Sequence, residues 1–140
     1  MRLFLDANVI FTAAHNPGGR AAAILDLARR GRASLVTSRH AVAEARKNVA
    51  LKHAESLPRL EATLRHVDLL PEAPPDDVAW AAELGLPPKD APILAAAVAS
   101  GADVLVTGDR THFGPLFGRR LRGVLVLNPV DALARLLENP

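Results

Sequence analysis

The chain has 140 residues, a formal net charge of +2 and no cysteine. That length fits a single domain over residues 1–140, one that buries roughly 70% of its unfolded surface and needs no disulfide or structural zinc; without Cys, thiolate metal sites and thiol nucleophiles are excluded. The longest uncharged, mostly apolar stretch, Ala91 to Ala102, falls well short of the ~20 residues of a membrane helix, and Asp6 interrupts the first apolar run before a secretory leader could form, so a cytoplasmic protein with no membrane partner is expected.

Arg2–Leu5 reads as the first strand and closes on Asp6. After the loop Asn16-Pro17-Gly18-Gly19, residues 20–30 form an amphipathic helix with Ile24, Leu25, Leu27 and Ala28 inward, and Gly31 stops it as a left-handed cap. Ser34–Thr37 is a second strand, and Ser38 is a natural N-cap for a helix over 39–52. A further helix covers about 56–66, with Pro58 tolerated in its first turn. Val67–Leu70 is a short strand, and Asp76–Leu84 a helix ending at Gly85. Pro87-Pro88 precedes the most apolar helix, 90–100, closed by Gly101; Asp103–Thr107 and Val124–Leu127 are strands, and a last helix runs from Val130 to Glu138. Strands alternating with helices predict an α/β fold with a parallel sheet covered on both faces.

Two of the apolar strands end on acids: Leu3-Phe4-Leu5 on Asp6, and Val104-Leu105-Val106 on the turn Thr107-Gly108-Asp109. Ligands of open α/β sheets bind at the carboxyl edge, where the strand order reverses. Carboxylates gathered there repel one another unless protons or cations lie between them, so a magnesium or manganese site is the simplest reading. Asp6 has Asn8 two positions on, an amide able to hold its carboxylate in place. Asp109 also suits a plain TGDR turn, and Asp90 also suits a helix N-terminus on grounds of the macrodipole alone. Glu44 lies mid-helix with His40 and Asn48 four residues to either side; its residues alone favour a solvated Glu paired with Lys47.

The sequence as a whole resembles the PIN-domain family of metal-dependent ribonucleases, which includes VapC-like toxins of toxin–antitoxin pairs. LDANVI resembles the family's opening motif, AEARKNV the helix bearing its second acid, and KDAPILAAAVASGADVLVTGDRTHFG its most specific stretch. The resemblance implies a three-layer α/β/α fold around a parallel sheet of about five strands in order 3-2-1-4-5. It implies a catalytic and metal-binding set of Asp6, Glu44, Asp90 and Asp109, supported by Asn8 and Thr107. Many family members carry a further Asp or Asn shortly after TGD, where this chain has Arg110, Thr111 and His112, so whether one ion or two is held stays open.

The activity so implied is hydrolysis of RNA phosphodiester bonds with Mg2+ or Mn2+, as a toxin or a processing nuclease. Arg39, Arg110, Arg119, Arg120 and Arg122 are the candidate RNA contacts. Only Lys47, Lys52 and Lys89 of the 17 basic residues are not Arg, and four Phe, one Trp and no Tyr leave little for base stacking, which favours recognition of backbone and shape. An antitoxin is an expected partner. A homodimer through 20–30 and 56–66 is expected too, because Ile24, Leu27, Leu57, Leu60 and Leu64 exceed what one sheet face consumes. The alternatives are a non-catalytic PIN-like module that binds RNA or protein, and a haloacid-dehalogenase-type phosphatase. The latter needs an acid two residues after the first Asp, where Asn8 stands.

Overall fold

Apolar runs of four or five residues between helices pair in parallel here because each helix carries the chain back across the sheet before the next strand begins. The computed structural model describes residues 1–138. In chain order it contains β1 (Arg2–Leu5), α1 (Ala7–His15), α2 (Arg20–Arg29), β2 (Ser34–Ser38), α3 (Arg39–Lys52), α4 (Leu57–Leu64), β3 (Val67–Leu70), α5 (Pro75–Ala82), α6 (Ala91–Ala99), β4 (Val104–Val106), β5 (Arg120–Leu121), β6 (Val124–Leu127) and α7 (Pro129–Glu138), with short 3-10 turns at Ala54–Ser56 and Gly114–Leu116. The sheet order is β3-β2-β1-β4-β6-β5. Its first five strands are the expected parallel 3-2-1-4-5 arrangement, and the sixth is a short antiparallel addition at the edge. The chain moves outward from β1 through β2 to β3, then restarts at β4 on the other side. The switch point is therefore the gap between β1 and β4, with Leu5 level with Val106.

The core is continuous through both faces. Leu3, Phe4, Leu5, Val104, Leu105 and Val106 are buried, as strands covered on both sides must be. α6 buries Ala91, Ile93, Leu94, Ala95, Ala96 and Ala97. Its apolar character all round fits a helix packed deep against both the sheet and α5.

Two elements lie outside those assigned from the sequence. Residues 7–15 are helical, although Val9, Ile10, Phe11 and Thr12 have strand-like chemistry. Burial of Val9, Ile10, Ala13 and Ala14 overrides that propensity, and Asp6 ends the strand and caps the helix in one step. β5 is only two residues long, too short to leave a periodic signal. Its pairing (Arg120 with Leu125, Leu121 with Val124) is set by a two-residue turn with φ of +47° at Arg122 and +87° at Gly123, the left-handed pair that matches hairpin twist.

The apolar surplus expected on 20–30 and 56–66 is consumed in part. Ile24 and Leu60 are fully buried, and Leu27, Leu57 and Leu64 pack partly buried against the same core. The apolar surface behind the homodimer expectation is therefore reduced to these last three residues. No helix among the described residues is long and apolar enough to cross a membrane.

Candidate active site

Asp6 leaves β1 at the switch point, and its backbone N–H still donates to Val106 O at 3.0 Å. Its side chain caps α1: Oδ1 accepts from Ala7 N at 2.7 Å, while Oδ2 accepts from Thr107 Oγ1 at 2.8 Å and from Asn8 Nδ2 at 3.2 Å. Asn8 Nδ2 also reaches Thr107 Oγ1 at 3.3 Å, and its Oδ1 accepts from Gly108 N at 2.7 Å. A Cβ at position 108 would stand 3.3 Å from Asn8 Oδ1, so glycine is what lets the β4 exit approach this amide. Asn8 and Thr107 thus hold the carboxylate as the sequence suggested. Burial pushes the Asp6 carboxyl up to about 6; the hydrogen bonds from Thr107 and Ala7 oppose the rise, and the charges of Glu44 and Asp90 add to it.

Asp109 follows two residues beyond Thr107, whose Oγ1 accepts from Asp109 N at 3.2 Å. Burial raises its carboxyl. The His112 backbone N–H, the His112 imidazole and the Thr111 backbone N–H outweigh that and hold it below the usual carboxylate range. His112 Nδ1 lies 2.9 Å from Asp109 Oδ2 and 3.2 Å from Asp90 Oδ2. The ring nitrogen is aligned for a hydrogen bond with Asp109 only, so Asp90 Oδ2 stays buried without a donor. Asp90 is raised by burial, which Lys89 opposes and the Asp109 charge reinforces.

One ligand atom each from Asp90, Asp109 and His112 fall within 4.8 Å of one another. Two hard oxygens, one of them a buried acceptor with no donor, and an imidazole nitrogen fit a divalent cation of the magnesium or manganese kind. His112 was not expected as a member; its signal was its position three residues after Asp109, which puts it on the same turn.

Asp6 and Glu44 stand outside that trio but line the same cavity of about 520 Å3, together with Asn8, Asp90, Asp109 and His112. All four expected acids therefore meet at one place. Glu44 is half-buried, and among the described residues it makes no ion pair with Lys47. Asn48 and Lys52, four and eight residues on along α3, line the cavity with it, as helical spacing dictates.

The expected arginines are not at this cavity. Its cations are Lys52 and Lys89. Arg122 sits in the hairpin turn before β6, at the opposite edge of the sheet from Leu127 and Thr107. There its guanidinium lies 4.0 Å over the Trp80 ring and 3.7 Å from Asp77, contacts that hold the left-handed residue. Arg119 and Arg120 are exposed, the one just before the β5 edge strand and the other on it, Arg39 is exposed at the start of α3, and Arg110 is exposed beside Asp109.

A family model described as PIN domain matches residues 2–111. The structure is similar to VapBC2 from Rickettsia felis bound to a promoter DNA fragment (TM-score 0.70, 19% identity, covering 91% of this chain and 98% of that one). It is also similar to PAE2754 from Pyrobaculum aerophilum (0.67, 24%, 99% of each chain) and to VapBC-1 from nontypeable Haemophilus influenzae (0.60, 20%, 93% and 99%). Comparison with curated proteins finds no matching sequence.

Proposed function

The chain belongs to the PIN-domain family, and from that premise we propose that it is a divalent-metal-dependent endoribonuclease serving as the toxin of a toxin–antitoxin pair. The observation that carries the reading is the buried, donor-free Asp90 Oδ2 facing Asp109 and His112. A buried carboxylate oxygen with no donor costs several kcal/mol unless a cation completes it, and a hydrolytic metal site has that need.

Asp90 and Asp109 would hold Mg2+ or Mn2+, with His112 Nδ1 beside them and Asp6 and Glu44 completing the negative wall. The ion, when bound, supplies a water of lowered pKa and neutralises phosphate charge. The chain's own residues supply the geometry. Asn8 and Thr107 fix the Asp6 carboxylate in one orientation, and Lys52 and Lys89 attract the RNA phosphates to a cavity that would otherwise repel them. An acidic cavity of this kind calls for control. The likeness to toxin–antitoxin structures supports a protein antitoxin as the partner.

The test is cleavage of a short labelled RNA with and without manganese, followed by excess chelator. Metal-dependent cleavage is expected, with Asp109→Asn slowed at least ~1,000-fold because a charged ligand is gone while its melting curve remains cooperative. RNA binding by the wild type with no cleavage in any divalent metal would instead identify a non-catalytic module.

A further inference from the structure

Three rings, two from α1 and one from the end of α3, meet at the rim of the acidic cavity. His15, at the end of α1, and His53, the C-cap of α3, stack with centroids 4.2 Å apart and planes 8° from parallel. Phe11, one turn earlier on α1, meets His15 edge-on at 4.7 Å and His53 at 5.6 Å. Lys52 Nζ stands over the Phe11 ring, 5.7 Å from its centroid, so the side chain must swing aside for a base to take that face. Phe11 and Lys52 both line the cavity that holds Glu44, Asp90 and Asp109. None of the three rings is fully buried. α1 and α3 already bury small residues (Ala14, Ala45 and Val49), so closing their contact needs no half-exposed aromatic on the cavity wall.

We propose that Phe11 and Lys52, backed by the His15–His53 stack, form a nucleobase subsite. A base of single-stranded RNA next to the scissile phosphate stacks on the Phe11 ring, and the Lys52 ammonium takes the adjoining phosphate. A π-face beside a cation is the combination that single-strand binders use, since every base has a face to stack and every linkage a charge. Phe11 follows Asp6 by five residues, ~7.5 Å along the α1 axis, a span that one extended nucleotide covers. The inference rests on the ribonuclease reading and deepens it. One of the few aromatics, Phe11, stands where a base would lie, and recognition is not of the backbone alone.

The experiment compares wild type, Phe11→Leu, which keeps apolar volume without a π-face, and Phe11→Trp, which restores one. Affinity for a fluorescent single-stranded RNA is read by anisotropy in an Asp109→Asn background, where turnover is blocked. KM and kcat are read in manganese without that second change. The RNA series contains an abasic nucleotide at each position in turn. Phe11→Leu is expected to weaken binding ~5- to ~150-fold, the range for loss of one stacked base, and to raise KM with kcat little changed, while Phe11→Trp restores both. At one abasic position the wild type and Phe11→Leu should become equal. Equal affinity of the two proteins for every RNA, in a wild type that does cleave, would overturn the subsite and leave the ribonuclease reading standing. A wild type that neither binds nor cleaves RNA would overturn both.

Discussion

Asp6 and Asp109 end adjacent strands at the same sheet edge, and their surroundings treat them in opposite ways. Asp6 is 4% exposed, with both oxygens already accepting hydrogen bonds, yet its carboxyl is pushed up to about 6. Asp109 is more open and is held below the usual range by His112 and Thr111. The Asp6 half of the site is orientated in advance at an electrostatic cost. In the other half Asp109 is held in its charged form, while Asp90 is raised by burial and its Oδ2 lacks a hydrogen-bond donor. The contrast separates positioning from ligation: a carboxylate locked by Asn8 and Thr107 keeps its place without an ion, while one left short of donors asks for a cation.

The sharpest way to break the comparison is through pH. Asp6 titrates at about 6 in the folded chain against 3.8 as its ordinary value, so between those values the folded state binds more protons than the unfolded one. Its contribution to stability is most favourable below pH ~4 and is lost as pH rises through ~6, reaching a cost of ~3 kcal/mol. In chelator, the wild type should therefore lose stability from pH 4 to 7 more steeply than Asp6→Asn does in urea melts at stepped pH. Parallel slopes for the two proteins would mean that Asp6 carries no such penalty.

Removing the clamp tests the positioning half directly. Asn8→Ala deletes the hydrogen bonds to Asp6, Thr107 and Gly108 together. The expected loss is ~10- to ~100-fold in metal affinity or cleavage rate, the usual effect of losing a group that orients a ligand. Exposed Gly108 N–H can turn to water, so stability should fall by only ~1 kcal/mol. Isothermal titration with manganese and a urea melt measure the two separately; unchanged metal affinity would show that backbone contacts alone hold Asp6.

Glu44 gives the smallest and most discriminating effect. Half-buried on the cavity wall and without an ion pair to Lys47, it should make Glu44→Gln at least ~10-fold weaker in metal binding or activity. The same change should ease the ionisation of Asp6, whose carboxyl the Glu44 charge helps to raise. Normal kinetics with a stability change of ~0.5 kcal/mol or less would return Glu44 to the helix surface.

Much of this was legible in advance, for identifiable reasons. Apolar runs ending on Asp6 and Asp109 are strong signals because a parallel strand buried on both faces admits nothing else, and the acid marks the edge. Ser38 caps α3 as its type predicts, its Oγ accepting from Ala41 N at 3.2 Å. Helix α1 was hidden because its β-branched residues speak for a strand until the fold buries them. β5 was hidden because two residues have no period.

Sequence alone determined the α/β class and singled out Asp6, Asp90 and Asp109, since strand ends and helix caps are local properties; the strand order and Glu44 came through the family resemblance. Only the tertiary structure decided which side chains share a volume. It joined His112 to Asp90 and Asp109, brought Lys52 and Lys89 to the cavity, and set Phe11, His15 and His53 together. It also used Ile24 and Leu60 in the core that was expected to leave them for a partner. Such choices depend on how helices pack across a sheet, and sequence spacing along one element carries no information about what faces it from another.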